Sequence, residues 1–238
     1  MNEWIPADGR RLANRLDDRD EKGTKSAGSV ANAIHLAPFC PRQNLLHDHY
    51  ERHGQIVCKA PEAAIFLQGS PASFIYMVLK GHVRCSIITP SGRRHIVRFF
   101  RTGDLFGFED FETRHSGAEA IDHVTLRRVP RGQLDQAIQG NPSLEQAVRD
   151  HICRELRIRE KQIVRLAHLP AEARVASFIK ELASQQAVNG EISLPMSRVD
   201  IADYLGLTVE TVSRSFSTLR RKGVIQQSSP SKIRLMAS

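Results

Sequence analysis

The chain has 238 residues, of which 41% are hydrophobic and 25% are charged, and its formal net charge is +8 at pH 7. This length allows two modest domains, and the basic excess favours a polyanionic partner such as nucleic acid. No apolar run approaches the ~20 residues of a membrane helix, and the N-terminus has no signal-peptide core, so we expect a cytoplasmic protein without a membrane partner.

Residues 1–32 mix Arg, Asp, Lys, Gly and Ser with few apolar side chains, which predicts a disordered leader. A short helix is expected near Asn44–His53, and short apolar strands then alternate with glycine turns. The predicted strands are Ala64–Gln68, Phe74–Lys80, His82–Thr89 and His95–Arg101. The clearest hairpin turn is Thr89–Gly92. This spacing is typical of an antiparallel roll, and we assign residues 33–142 to such a domain.

A long amphipathic helix is predicted over about Leu144–Leu166, within a segment assigned to residues 143–168. Its apolar positions recur at steps of three and four residues, as in a coiled-coil seam, and charged side chains flank both edges. The alternative is a helix that packs only on its own domain, but the narrow stripe favours pairing with a second copy. The predicted homodimer interface consists of Val148, Ile152, Leu156, Arg159, Ile163 and Leu166.

Residues 169–238 read as a second domain, with a helix over Ala171–Ala187, a short strand at 192–194, two more helices and a β-ribbon. The two helices lie in residues 196–223. Ser197 and Asp200 have the spacing of a capping box. Gly206 suits the left-handed end of the first helix, and Thr208 suits the cap of the second. This pattern predicts a helix-turn-helix.

The second of these helices has two different faces. Val212, Phe216 and Leu219 form the face expected to pack inward. The opposite face carries Glu210, Ser213, Arg214, Ser217 and Arg221. A solvated face would more often hold Lys and Glu pairs, whereas a carboxylate, a hydroxyl and a guanidinium near a helix N-terminus suit base edges in a major groove. We therefore expect double-stranded DNA as the partner.

The run LGLTVETVSR, with Glu210, Ser213 and Arg214 as E-x-x-S-R, resembles the recognition element of the Crp/FNR superfamily. The strand pattern and long helix extend the resemblance over about residues 40–237, most closely to the FixK-type branch. The resemblance implies an α+β fold: an N-terminal cyclic-nucleotide-binding-like antiparallel β-roll, a long dimerisation helix and a C-terminal winged helix-turn-helix. It also implies RNA polymerase as a partner and genes of microaerobic, anaerobic or nitrogen-fixing metabolism as targets.

Residue roles follow from the same resemblance. Glu210 and Arg214 are expected to read the bases of palindromic TTGAT-like half-sites, with Ser213 beside them and Val209 on a thymine methyl group. The expected phosphate and flanking contacts are Thr208, Thr211, Ser217, Arg220, Arg221 and Lys222.

The sequence departs from two cofactor-binding patterns of the family. Its cysteines (Cys40, Cys58, Cys85 and Cys153) are scattered, and only Cys40 lies in the region where cluster-binding members hold iron and sulfur, so we expect no iron–sulfur cluster. The loop after Gly107–Asp110 lacks the Arg-Ser pair that binds a cyclic phosphate, and Arg114 is only a displaced candidate, so we expect no cyclic AMP. Cys85 is expected to point into the sheet core, and Ser197 stands where some relatives carry an oxidisable cysteine.

Two alternatives remain at the level of the sequence. In the first, the roll is a sensor that binds haem, a metal or a small effector. In the second, the chain is a cupin-like enzyme, although the roll offers only His82 and His95 as inward ligands. The His47–His53 segment places His49 and His53 on one helix face, but surface or packing histidines are favoured there over a metal site.

Overall fold

The structure is a computed structural model that describes residues 43–108, 112–186 and 191–236. The predicted leader at residues 1–32 and Cys40 lie outside these ranges. Helix α1 (Gln43–His53) confirms the short helix predicted before the roll. The strands that follow are β1 (Gln55–Lys59), β2 (Ala64–Phe66), β3 (Phe74–Lys80), β4 (His82–Ile88), β5 (Arg94–Arg101), β6 (Leu105–Phe106), β7 (Gly117–Ala120) and β8 (Val124–Pro130).

These strands form two antiparallel sheets that enclose an apolar core, which confirms the predicted roll. One sheet has the order β1-β8-β3-β6 and the other the order β2-β7-β4-β5. Alternate side chains of β4 point inward, so Val83 and Cys85 are buried at 0% and 1% exposure, and the core position of Cys85 is confirmed. The predicted turn between β4 and β5 is present, with Gly92 at φ 77° and the Thr89 amide donating to the Arg93 carbonyl.

Two helices follow the roll, α2 (Arg131–Gln139) and α3 (Pro142–His168), and the second confirms the predicted long helix. The side chain of Asn141 caps α3 by accepting a hydrogen bond from the Leu144 amide at 3.1 Å. Proline is tolerated at position 142 because the first helical amide has no partner within the helix. The N-terminal part of α3 packs on α1 through the buried residues Leu46, Tyr50, Leu144 and Ala147.

The C-terminal part contains three helices and a small sheet. Its elements are α4 (Ala171–Gln186), β9 (Glu191–Ser193), α5 (Arg198–Leu205), α6 (Val209–Arg221), β10 (Ile225–Ser229) and β11 (Lys232–Leu235). The antiparallel β10–β11 hairpin is the predicted ribbon, and β9 extends it to the order β10-β11-β9. The helices pack with this sheet around a common core, which makes the domain a winged helix-turn-helix. No helix in the described part of the chain is long and apolar enough to cross a bilayer.

The roll and the winged helix share packing through β5. Ile96 is 3% exposed and belongs to the same apolar cluster as the C-terminal core. The ring of Phe99 lies 5.1 Å from that of Tyr204 and 6.3 Å from that of Phe178, measured between centroids. The described residues accordingly form one compact unit, and the helix-turn-helix packs directly on the sheet that contains β5.

Candidate nucleic-acid interface

The first helix of the helix-turn-helix, α5, begins at a reciprocal cap. The Ser197 hydroxyl accepts a hydrogen bond from the Asp200 amide at 3.0 Å, and the Ser197 amide donates to the Asp200 carboxylate at 3.1 Å. The helix ends at Gly206, which adopts the left-handed conformation at φ 62° and ψ 42°. Both ends were predicted from the sequence, and both are confirmed.

The recognition helix, α6, starts at Thr208, whose hydroxyl accepts a hydrogen bond from the Thr211 amide at 3.2 Å. Its inner face is buried as predicted, with Val212, Phe216 and Leu219 at 0%, 4% and 3% exposure. Because these three side chains anchor the helix in the domain core, the opposite face turns outward.

The outward face of α6 carries the predicted base-reading groups. Glu210, Ser213 and Arg214 are all exposed, and Glu210 lies in the first turn. Hydrogen bonds from its own backbone amide and from Thr208, together with the charge of Arg214, lower the pKa of Glu210. The side chain is therefore an ionised acceptor at neutral pH, as a contact with a cytosine amino group requires. Val209 is half-buried and packs against the domain core.

Some of the predicted flanking residues form contacts with other residues of the protein, and others are exposed. Arg220 and Arg221 are exposed in the last turn of α6. Lys222 forms a 2.6 Å ion pair with Glu172 of α4, and Ser217 donates to the Ser213 carbonyl at 3.1 Å. The exposed arginines thus offer charge for phosphates at the C-terminal end of the helix. The hydroxyl groups of Thr208 and Thr211 lie 3.1 Å apart at its N-terminal end.

One residue that supports the interface was not predicted. Arg174 of α4 donates to the carbonyl oxygens of Leu169 at 2.8 Å and Leu205 at 3.1 Å, so it joins α4 to the last turn of α5. An arginine in an amphipathic helix has no local pattern that distinguishes this role from a solvated position.

The predicted dimer residues on α3 differ in how far they are buried. Ile152, Leu156 and Ile163 are exposed at 47%, 56% and 64% of their surface. Such exposure of large aliphatic side chains along one helix is unusual for a face in contact with water. Val148 instead packs against the core between α1 and the roll. Arg159 and Leu166 are half-buried.

A cavity of about 160 Å³ lies between β6 and α3. Its lining residues are Leu105, Phe106, Phe108, His151, Ile152, Glu155, Leu156 and Arg159. Burial lowers the pKa of His151 to about 4, so this imidazole is neutral at physiological pH. Its Nε2 atom is buried without a hydrogen-bond partner in the described part of the chain, and its ring lies 4.8 Å from that of Phe108. The lining is mostly apolar, with neutral His151 and the charged side chains of Glu155 and Arg159 as its polar groups.

Arg114, the displaced candidate for a cyclic phosphate, forms its contacts within the roll. Arg114 is 2% exposed, and its guanidinium donates to the carbonyl oxygens of Gly107 at 3.1 Å and of Phe74. The same group lies 4.1 Å from the centre of the Phe66 ring. Arg114 is thus engaged with the backbone and an aromatic side chain of the roll. Residues 109–111 lie outside the described residues.

The cysteines and histidines of the described residues do not form a metal site. Cys58 on β1 and Cys153 on α3 are exposed, whereas Cys85 on β4 is buried. Among the described residues, no three His, Cys, Asp or Glu side chains converge on a metal-sized site. In α1, His49 and His53 share a face as predicted, with ring centroids 4.8 Å apart.

Both the roll and the helix-turn-helix are similar to known protein domains. A Crp-like helix-turn-helix domain matches residues 173–237, and a cyclic nucleotide-binding domain matches residues 58–141. The transcriptional activatory protein AadR of Rhodopseudomonas palustris is 36% identical over 183 residues, which cover 75% of this chain and 77% of AadR. The nitrogen fixation regulation protein FixK of Bradyrhizobium diazoefficiens is 34% identical over 180 residues, with 74% and 76% coverage.

A solved structure agrees with these sequence relatives. FixK2 from Bradyrhizobium japonicum superposes with a TM-score of 0.75 at 35% identity, covering 77% of this chain and 93% of FixK2. The similarity therefore extends through the roll, the long helix and the winged helix-turn-helix together.

Proposed function

Because the chain belongs to the Crp/FNR family of transcription regulators, we propose that it binds TTGAT-like palindromes as a homodimer and activates transcription. Its relatives are regulators rather than enzymes, which removes the cupin-like alternative. DNA binding of this kind takes place in the cytoplasm, where the target genes and RNA polymerase are found.

The observation that carries this proposal is the exposed triad on α6. Glu210 and Arg214 are four residues apart, so their side chains lie one above the other on the outer face, with Ser213 beside them. A recognition helix reads bases with residues of its N-terminal part, where these groups stand. A carboxylate suits the amino group of cytosine, and a guanidinium suits O6 and N7 of guanine. Thr208, Thr211, Ser217, Arg220, Arg221 and Lys222 are the proposed flanking contacts.

The proposed dimer forms through α3. Pairing of two α3 helices would cover Ile152, Leu156 and Ile163, which are otherwise exposed to water. Val148 and Leu166 are half-buried within their own protomer and would meet the partner only with their remaining surface at the ends of this seam, with Arg159 between them. A dimer of this kind presents two recognition helices to half-sites about 34 Å apart, one turn of DNA.

The proposed regulator works without an iron–sulfur cluster and without cyclic AMP. Cys58, Cys85 and Cys153 lie on three separate elements, which does not suit a shared cluster. Arg114 is held by backbone carbonyls instead of standing ready for a phosphate. The relatives' names, which include nitrogen fixation regulation and anaerobic regulatory proteins, suggest that the target genes serve metabolism at low oxygen.

The test is fluorescence anisotropy with the effector-free protein in air. A labelled TTGAT-N4-ATCAA duplex is compared with a scrambled duplex of equal length at one fixed salt concentration. We expect a preference of about 10³-fold or more for the palindrome. Equal binding to both duplexes by a folded dimer would mean either that a missing effector gates the dimer or that the half-site assignment of Glu210 and Arg214 is wrong.

A second candidate function, gating by a bound effector, is favoured by the cavity between β6 and α3. Its lining is mostly apolar and includes neutral His151, Glu155 and Arg159 as polar groups, which suits a small, mostly apolar molecule with a few polar atoms. Native mass spectrometry, absorption spectra and metal analysis of the purified protein test this candidate. A bound small molecule or chromophore whose removal abolishes preference for the palindrome would support gating, and full preference in a ligand-free protein would exclude it.

A further inference from the structure

Two arginines on the roll bind two aspartates on the first helix of the helix-turn-helix. Arg94 on β5 donates from Nη2 to Asp200 and from Nε to Asp203, both at 2.8 Å. Arg84 on β4 approaches the carboxylate of Asp200 at 3.4 Å. The four side chains, Arg84, Arg94, Asp200 and Asp203, form an inter-domain ion cluster.

The inter-domain ion cluster is shielded from water at its centre. The side chains of Arg84 and Asp200 are 7% and 3% exposed, and those of Arg94 and Asp203 are 27% and 25% exposed. Charges with so little access to water are tolerated only when their partners are in place. The cluster therefore favours one arrangement of the two surfaces over neighbouring ones.

Arg84 is further fixed from the side of the roll. It forms ion pairs with Glu62 and with Glu119, the latter at 3.0 Å. Burial alone would lower the pKa of Arg84, but the hydrogen bond with Glu62 and the charge of Asp200 outweigh burial and raise that pKa. Arg84 is thus a cation that Glu62 and Glu119 hold from the roll while Asp200 pairs with it from the helix-turn-helix.

The cluster is connected to the recognition helix through rigid packing. Asp200 also closes the capping box of α5, so the arginines contact the first turn of that helix. Helix α5 packs on α6 through the buried side chains of Ile201 and Val212, which belong to one apolar cluster. The packing of Phe99 on Tyr204 lies beside the ion pairs and adds a second attachment of α5 to β5.

The base-reading face stays open in this arrangement. Glu210, Ser213 and Arg214 are exposed while α5 is docked on the roll. Docking through the inter-domain ion cluster therefore does not cover the groups that are proposed to contact DNA.

We propose that Arg84 and Arg94 are positioning residues that hold the recognition helix in the orientation needed to read a half-site. This inference rests on the proposed function, because a dimer that binds a palindrome of fixed spacing needs two recognition helices at a fixed separation. A domain already held in that orientation loses less conformational freedom on binding than a loosely tethered one. In the alternative, docking of the helix-turn-helix on the roll holds the protein in a state that binds DNA weakly. Variants that weaken the inter-domain ion cluster would then bind DNA more tightly.

The experiment uses the full-length protein and a mutant cycle of Arg94→Gln, Asp203→Asn and the double variant. Arg93→Gln is the matched control, because it removes the same charge from an exposed neighbour in the turn before β5. Anisotropy is measured at fixed salt with palindromes of four-base and five-base spacers and with a scrambled duplex. The five-base spacer rotates one half-site relative to the other, so it reports how rigidly the two helices are held.

We expect each single variant to lose about tenfold in affinity for the four-base palindrome, which corresponds to ~1.4 kcal/mol. The double variant should lose no more than Arg94→Gln alone, because Arg94→Gln already removes the ion pair with Asp203 along with the one with Asp200. The ratio of affinities for the two spacers should also fall, while Arg93→Gln keeps the ratio of the original protein. Variants that match Arg93→Gln in both measurements, or that bind more tightly, would overturn the proposal.

Hydrogen exchange without DNA tests the cluster independently of any half-site. Amides of α5 and of the β4–β5 hairpin should exchange faster in Arg94→Gln and Asp203→Asn than in the Arg93→Gln control. If the unaltered protein shows no preference for the palindrome, the proposed function fails and this measurement alone decides whether the cluster holds the domain. Unchanged exchange rates would then overturn the inference as well.

Discussion

The guanidinium carbon of Arg198 lies 3.4 Å from the centre of the Phe216 ring, which joins the first turn of α5 to the inner face of α6. A cation over an aromatic face contributes about 0.5 to 2 kcal/mol, depending on how far it is desolvated. Together with buried Val212, this contact sets the rotation of α6 about its own axis. The exposed side chains of Glu210 and Arg214 are held outward as a consequence.

Replacing Arg214 by alanine should remove the proposed contact with guanine. We expect the Arg214→Ala variant to lose about 1 to 3 kcal/mol of binding free energy on the palindrome and to lose discrimination at the guanine position. Affinity for a scrambled duplex should change little by comparison. Anisotropy titrations with a set of duplexes substituted at that base measure both effects.

Arg221→Ala is the control for this prediction, because Arg221 is an exposed cation of the same helix that is proposed to face phosphates. Its loss should lower the affinity for the palindrome and for the scrambled duplex by the same factor, and it should reduce the dependence of affinity on salt. If Arg214→Ala behaved in the same uniform way, Arg214 would be a phosphate contact and the assignment of base reading would be wrong.

The turn of the helix-turn-helix depends on the backbone of Gly206. An alanine Cβ there would meet the nearest atom, Cδ2 of Leu166, only at 3.6 Å, so space does not forbid it. The φ of 62° does impose a cost, about 1 to 2 kcal/mol for a residue with a side chain. We expect Gly206→Ala to lower the free energy of unfolding by this amount in chemical denaturation.

Gly132 in α2 provides the matched control, because a Cβ added at this helical position meets no neighbouring side chain within 4 Å. Gly132→Ala should be neutral or stabilising by about 0.5 to 1 kcal/mol, since alanine favours the helix. Equal effects of the two substitutions would show that the left-handed conformation at Gly206 is not required.

The helix-turn-helix could be predicted from the sequence because its signals are local. The capping box at Ser197, the left-handed Gly206 and the Thr208 cap lie within twelve residues and depend on neighbouring backbone groups alone. The alternation of β4 likewise placed Cys85 in the core without knowledge of its partners. These patterns depend on one or two helical turns or on a single strand, so they can be recognised without knowledge of the tertiary contacts. The tertiary packing agrees with them.

The inter-domain ion cluster could not be predicted in this way. Arg84 and Asp200 are 116 positions apart, and an arginine at an outward position of a strand is typical of a solvated surface. The seam of α3 was predicted from periodicity, but periodicity does not say which side meets the roll. Val148 packs on the roll, while Leu156 remains exposed.

A charge in the proposed seam of α3 should prevent dimerisation. Leu156 is 56% exposed, so Leu156→Asp is not expected to unfold the roll, but pairing two such helices would bury two carboxylates close together. Analytical ultracentrifugation should show a monomer, and affinity for the palindrome should fall at least 100-fold, because each half-site is then bound alone.

Lys161→Asp introduces the same side chain on the opposite, exposed side of α3. This control should remain dimeric, although its lower positive charge weakens binding to all DNA. A dimeric Leu156→Asp variant would show that the copies associate through another surface.

The buried imidazole of His151 should make the protein sensitive to acid. Burial lowers the pKa of His151 from 6.5 to about 4, so the unfolded chain takes up a proton at this side chain before the folded protein does. Protonation of His151 in the unfolded chain therefore lowers the free energy of unfolding. This loss is negligible well above pH 6.5 and grows as the pH falls toward 4. Between pH 7 and pH 5 the expected loss in the free energy of unfolding is about 2 kcal/mol.

Chemical denaturation at these two pH values, at one protein concentration, isolates the contribution of His151. The His151→Gln variant should lose about 2 kcal/mol less than the unaltered protein between pH 7 and pH 5, because glutamine does not titrate and the other groups are common to both. If His151→Gln retained the full pH dependence, the imidazole would take up its proton as readily in the folded protein as in the unfolded chain.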